Sequence, residues 1–289
     1  MLRTTVISTL LITASSALFA APAALGTEVK LSGALTSGGL VLAEFDDAVQ
    51  VQLNQQELLL TEQHRAVFGF GRDQHGEQVL TWRDSNGKEH RHEFTIAPRK
   101  YQIDRVDGVP QQTVTPNPAQ QERARREAEQ VWLARNNAVT QRTEFLAPII
   151  MPAKGRISGV YGSQRIFNGT PRNPHYGLDI AAPTGTPVIA PWAGEVILAE
   201  PDLFYSGGTL IIDHGHGVTS TFIHLNKIHV AVGDMISQGQ LIADIGATGR
   251  VTGPHLDWRI NWRHLRLDPA LVMEHFSAAA TNPVPAEMR

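Results

Sequence analysis

From about Phe145 to Leu267, glycine, proline and β-branched residues recur so closely that no stretch offers the run of good helix formers a helix needs. That punctuation limits this half of the chain to short strands joined by turns. Strand candidates lie at 155–160, 187–190, 194–199, 209–213, 218–224, 227–230, 240–245 and 255–260, and one short helix is expected near 269–275. The spacing predicts a mostly antiparallel β domain over 146–276. The tail at 277–289 is expected to lack fixed structure.

Upstream, residues 27–100 also read as β, with β-favouring runs at 41–44, 49–53, 67–70, 79–82 and 93–96. Asn86-Gly87 is a two-residue hairpin signal. Strands this short and this regularly spaced suggest a small β-sandwich-like accessory domain. His90 and His92 alternate on its last strand and read as solvated strand histidines rather than ligands. Residues 101–118 look like a linker. From 119 to 139 the chain turns to helix formers with opposite charges at helical spacing, Glu122 to Arg126 for example, and Pro118 suits a helix start. Val131, Trp132 and Leu133 are its apolar part and are expected to dock on a domain. Glutamates interleave its arginines, so a solvated face is favoured over an anion-binding one. Residues 101–145 thus form a helical linker.

Arg3 is the one charged side chain before Glu28, and residues 6–19 are apolar apart from Ser and Thr. Small residues follow at 20–26. This is the three-part pattern of a signal peptide over 1–26, which implies a periplasmic or secreted protein. An uncleaved anchor is the alternative, although the run is short for a bilayer span of about 20 residues. The net charge of -3 leaves no footprint for nucleic acid. With no cysteine, disulfide frameworks, cysteine zinc sites and thiol nucleophiles are all excluded.

Three stretches carry the chemistry: His175-Tyr176-Gly177-Leu178-Asp179, Thr221-Phe222-Ile223-His224-Leu225 and Gly253-Pro254-His255-Leu256-Asp257. They supply three histidines and two aspartates, the inventory of an open hydrolytic zinc site with imidazoles to spare for proton transfer. Strand periodicity puts His255 and Asp257 on one side, with Leu256 and Trp258 on the other. His214 and His216 flank Gly215 in a turn and are expected to be structural there. His229, His264 and His275 read as surface or packing residues. Tyr205 and the loop 164–174, with Phe167, are candidate walls of a groove.

These stretches belong to an ordered series. Gly159-Val160-Tyr161-Gly162 comes before His175, and Ile180-Ala181-Ala182-Pro183-Thr184-Gly185-Thr186-Pro187-Val188 after Asp179; Asp213-His214-Gly215, Phe222-Ile223-His224-Leu225, Val232-Gly233-Asp234 and Gly246-Ala247-Thr248-Gly249 through His255 follow in turn. From about Ala147 to Met273 the chain resembles the M23 (LytM/lysostaphin-type) zinc endopeptidases of peptidoglycan, and the upstream region resembles the accessory domain of two-domain Gram-negative members. The resemblance implies one Zn2+ ion, peptidoglycan as the binding partner, and peripheral envelope partners. It makes His175 and Asp179 the first two metal ligands, and His224 and His255 the catalytic histidines.

The resemblance puts the third ligand at position 257, where the family has histidine and this chain has Asp257. A carboxylate is a legitimate zinc ligand. It brings a second negative charge, so the metal is expected to polarise its water less and to tolerate manganese or cobalt better. The alternative reading is a catalytically inactive peptidoglycan-binding module that activates a partner amidase, and a third is an anchored structural protein.

Overall fold

The computed structural model describes residues 28–106, 117–167, 170–171 and 173–278. The expected leader and nearly all of the expected tail lie outside them. Among the described residues no helix is long and apolar enough to cross a membrane.

The first strands are β1 (Lys30–Gly33), β2 (Leu40–Glu44), β3 (Ala48–Leu53), β4 (Gln56–Leu58), β5 (Arg65–Gly69), β6 (Gly76–Asp84) and β7 (Glu89–Ile96). They form two antiparallel sheets, β1-β2-β5 and β4-β3-β6-β7. Phe94 of one sheet packs 6.0 Å from Phe68 of the other, ring to ring. The Asn86-Gly87 turn is one residue longer than expected. Asp84 donates its backbone N–H to the Lys88 carbonyl, leaving three residues in the loop with Gly87 at φ 83°. The Asp84 carboxylate accepts the amides of Asn86 and Lys88, which stabilises the wider turn.

The expected linker is not purely irregular. Its residues Ile103–Val106 form β8, which pairs in parallel with β10 (Gln164–Phe167); β10 in turn pairs with β11 (Thr170–Pro171). Helix α1 (Pro118–Asn136) begins at a full capping box, in which Asn117 and Gln120 each bond the other's backbone amide. The expectation that Val131, Trp132 and Leu133 dock the helix is corrected: Trp132 is 52% and Leu133 46% exposed. Three consecutive apolar residues spread around the helix instead of forming a stripe. Polar contacts hold it: Arg123 bonds the Asp202 carbonyl, Gln130 bonds Glu200 and Glu127 accepts the Phe204 amide.

The second half adds β9 (Arg156–Gly159), β12 (Leu178–Ala181), β13 (Pro187–Ile189), β14 (Gly194–Leu203), β15 (Gly207–Gly215), β16 (Val218–Ile228), β17 (Met235–Ile236), β18 (Leu241–Ile245), β19 (His255–Trp262), β20 (Leu265–Leu267) and helix α2 (Pro269–Phe276). The run at 218–224 continues unbroken into the start of the run at 227–230 as one strand, β16, which ends at Ile228. These strands make a ten-stranded sheet whose main path is β17-β14-β15-β16-β19-β12-β9. On one face Phe222 sits across from Trp258 and Ser220 from Ile260, and Leu210, Ile212 and Trp192 complete a buried apolar layer. Burying each such large side chain stabilises by about 1.5–3 kcal/mol. On the other face the same strands present Thr219, Thr221, Asp257, Arg259 and Asn261, and this polar face is the floor of the site. The two halves touch where Arg99 pairs with Asp268, the N-cap of α2, at 2.8 Å.

Candidate metal centre

The site begins as a matter of register. Asp179 on β12 lies directly across from Asp257 on β19, and Asp257 directly across from Ile223 on β16. Two carboxylates on neighbouring strands repel unless something positive lies between them. The backbone makes room for both: a Cβ on Gly177 would come within 1.9 Å of Asp257 Oδ1, and one on Gly159 within 2.2 Å of Asp179 Oδ2.

His175 precedes β12 and is pinned on three sides. Its amide donates to the Ser163 carbonyl at 2.8 Å, its carbonyl accepts the Gly162 amide at 2.7 Å, and its Nδ1–H donates to the Val160 carbonyl at 3.1 Å. The last bond leaves Nε2 with the lone pair, the orientation a metal-binding histidine needs. Nε2 lies 3.0 Å from Asp179 Oδ1 and 3.4 Å from Asp257 Oδ2. Ligand atoms of the three residues all lie within 4.8 Å of one another.

The donor set fits a divalent metal. His175 Nε2 and Asp179 Oδ1 are both buried and neither has an aligned hydrogen-bond partner, although they are close. Ligands about 2.0–2.1 Å from a tetrahedral ion sit roughly 3.3 Å apart, the scale of the separations here. Burial would pull the His175 pKa down, but the two carboxylates overcome it and push it up to about 10. The pocket is built to hold positive charge, and a divalent ion would compete with that proton.

Asp257, 3% exposed, has a second partner. Arg259, two residues on and on the same face, donates from Nε to Oδ1 at 3.0 Å and from Nη2 to Oδ2 at 2.5 Å. Burial opposes ionisation of Asp257, but the Arg259 guanidinium and His175 hold it well below the usual carboxylate range. Sequence reading missed Arg259, although alternation along the strand placed it beside Asp257.

His224 and His255 flank the set, with ring centroids 4.9 Å apart. Each gives its Nδ1–H to a backbone carbonyl, Thr248 for His224 at 2.9 Å and Gly253 for His255 at 2.8 Å, so each turns Nε2 inward. His255 Nε2 is 3.9 Å from Asp179 Oδ1. Burial lowers the His224 pKa, which keeps its imidazole neutral at pH 7. Strict alternation from Phe222 would bury His224 in the core and turn Leu225 toward the groove. The ladder instead shifts by one residue here, with Phe222 across from Leu210 but Leu225 across from Gly208, and His224 sits at φ 67°. This bulge aims the imidazole at the site and returns Leu225 to the core. Left-handed backbone on a non-glycine residue costs about 1–2 kcal/mol.

Other predicted positions fall elsewhere. His214 is buried between the Ala193 carbonyl and Ser220 Oγ, and His216 packs on Phe145. His229 pairs with Asp244, while His264 and His275 are exposed. His90 bonds Asp84 and stacks on Trp82, and His92 stacks on Phe94. Tyr205 is 38% exposed beneath the Arg250 guanidinium. The side chain of Phe167 lies outside the described set.

Residues 173–269 match peptidase family M23. Over 109 residues the chain is 40% identical to the peptidoglycan DD-endopeptidase ShyA of Vibrio cholerae, a match covering 37% of this chain and 25% of that protein. It is 34% identical over 115 residues to an uncharacterised metalloprotease of Buchnera aphidicola, covering 39% and 30%. The matched region is thus under a third of either relative. A candidate M23 peptidase from Pseudomonas aeruginosa, known from its crystal structure, superposes over 82% of this chain and 94% of its own, with TM-score 0.60 and 29% identity. All five site residues fall inside the matched segment, and the chain carries a domain of peptidase family M23.

Proposed function

We propose that this protein is a zinc-dependent endopeptidase that hydrolyses peptide cross-links of peptidoglycan, exported to the periplasm or beyond by its N-terminal apolar leader. The observation that carries the reading is the convergence of the His175, Asp179 and Asp257 ligand atoms beside two imidazoles that both turn Nε2 inward. The names of the curated relatives supply the substrate class.

His175 Nε2 and the carboxylates of Asp179 and Asp257 would hold the ion. Bound zinc supplies a Lewis acid that polarises the scissile carbonyl and acidifies water. The chain's own residues do the proton work. His224, neutral and anchored to Thr248, accepts the proton of the attacking water at Nε2. His255, anchored to Gly253 and with Nε2 turned inward, stands beside it to stabilise the developing oxyanion. The leaving amine takes its proton back from His224. Arg259 cancels the extra negative charge of Asp257, so the set has the same net charge as two histidines and one aspartate. The expected loss of polarising power is thereby offset.

One observation favours the inactive-module reading: Arg259 already engages both oxygens of Asp257. Metal analysis combined with digestion of isolated sacculi separates the two. A working enzyme holds one zinc per chain and releases cross-linked muropeptides in a chelator-sensitive way. A chain that binds no zinc and cuts nothing overturns the proposal.

A further inference from the structure

Beyond the metal row, the polar face of the sheet continues in two further rows. Arg259 on β19 lies across from Thr221 on β16; next come Arg266 on β20, Asn261 and Thr219, each across from its neighbour. Alternate residues on a strand are about 7 Å apart, so these rows sit about 7 and 13 Å from the Asp179–Asp257 row. Arg135, from the last turn of α1, reaches onto the same floor and donates from Nη2 to Thr221 Oγ1 at 3.2 Å.

This corner collects positive charge without answering it. Burial, together with repulsion from Arg266 and Arg259, pushes the pKa of Arg135 down to about 9. Arg259 is committed to Asp257, while no carboxylate pairs with Arg135 or Arg266 among the described residues. Arg266 lies over the Tyr176 ring at 4.4 Å. The Nε atoms of Arg135 and Arg266 are buried with no partner, as are Thr219 Oγ1 and both polar side-chain atoms of Asn261. Unanswered donors of this kind, beside like charges, cost stability and mark a place where a ligand supplies the missing partner. Both arginines remain partly open to solvent.

We infer that Arg135 and Arg266, lying over the buried Asn261 and Thr219, form an anion subsite that binds a carboxylate of the substrate peptide two to four residue lengths from the bond at the metal. The inference deepens the proposed function and rests on it for the identity of the peptide. It also gives α1 a task that its weak apolar docking does not explain: the helix delivers a specificity residue to the groove.

The test needs no catalysis. The metal-free full chain is titrated calorimetrically with a synthetic peptidoglycan stem tetrapeptide bearing a free C-terminal carboxylate, and with its C-terminal amide. The free acid is expected to bind at least about tenfold more tightly, the size of one charge-assisted contact. Arg135→Gln and Arg266→Gln, each made singly, should remove most of that preference, while Arg135→Lys keeps part of it. Rising salt should weaken the acid and leave the amide nearly unchanged. Equal binding of acid and amide, binding of neither, or a preference that survives both glutamine variants would overturn the inference. A chain that prefers the acid yet never cuts sacculi keeps the subsite and sinks the hydrolase reading instead.

Discussion

Arg259 clamps Asp257 through two hydrogen bonds from the same strand and the same face, at 3.0 and 2.5 Å. The aspartate that stands at the third ligand position is therefore not a bare extra charge. Removing Arg259 leaves a buried carboxylate with only His175 beside it. Arg259→Gln should destabilise the chelated chain by about 3 kcal/mol. It should also enlarge the rise in Tm on adding zinc, because the ion then provides the counter-charge. Thermal melts with chelator and with zinc check this; an unchanged zinc-induced shift would count against the charge balance.

The ligands and the imidazoles have separable roles. His175→Ala and Asp179→Ala should lose bound zinc. His224→Ala and His255→Ala should keep it while kcat on sacculi falls about 10²- to 10⁴-fold. Metal content and turnover measured on the same preparations make the comparison; zinc loss in the His224 variant would assign that residue to the coordination set.

Arg72 reaches from the N-terminal sheets to the loop that carries His175. It donates two bonds to the Gly162 carbonyl, at 2.9 and 2.8 Å, and the Gly162 amide bonds the His175 carbonyl. Arg72→Ala should loosen that loop and weaken zinc binding about tenfold, in the range typical of residues that orient a ligand. Competition with a chromogenic chelator measures the change directly.

His214 sets an acid limit on stability. It is buried as the neutral ring, and desolvation lowers its pKa to about 4 from an ordinary 6.5. A histidine depressed in the folded state contributes stability that is present above pH 6.5 and lost as the pH falls toward 4. The loss between pH 7 and pH 5 should be about 2 kcal/mol. Urea titrations at the two pH values should show a smaller difference in His214→Gln than in the parent chain.

Much of this was readable before the structure. The two-residue step from His255 to Asp257 keeps both side chains on one face of a strand, which local geometry alone decides. The strands of the second half announced themselves through the turn residues between them. What could not be read was non-local. Ile103–Val106 is a strand because β10 is there to receive it, sixty residues on in the ladder. α1 stays in place through charged contacts to β14, for which its composition gave no address. Arg259 was legible by the same alternation that placed Asp257.

The bulge that aims His224 depends on its neighbour as much as on its own strand. A Cβ on Gly208 would come within 2.4 Å of the Leu225 carbonyl, so the two-against-one mismatch closes only across a glycine. Anyone transplanting this centre into another sheet would have to copy that mismatch along with the ligands. The portable unit is a pair of unequal strands, and a sequence motif lifted without its glycine partner would carry every reactive group and point one of them into the oil.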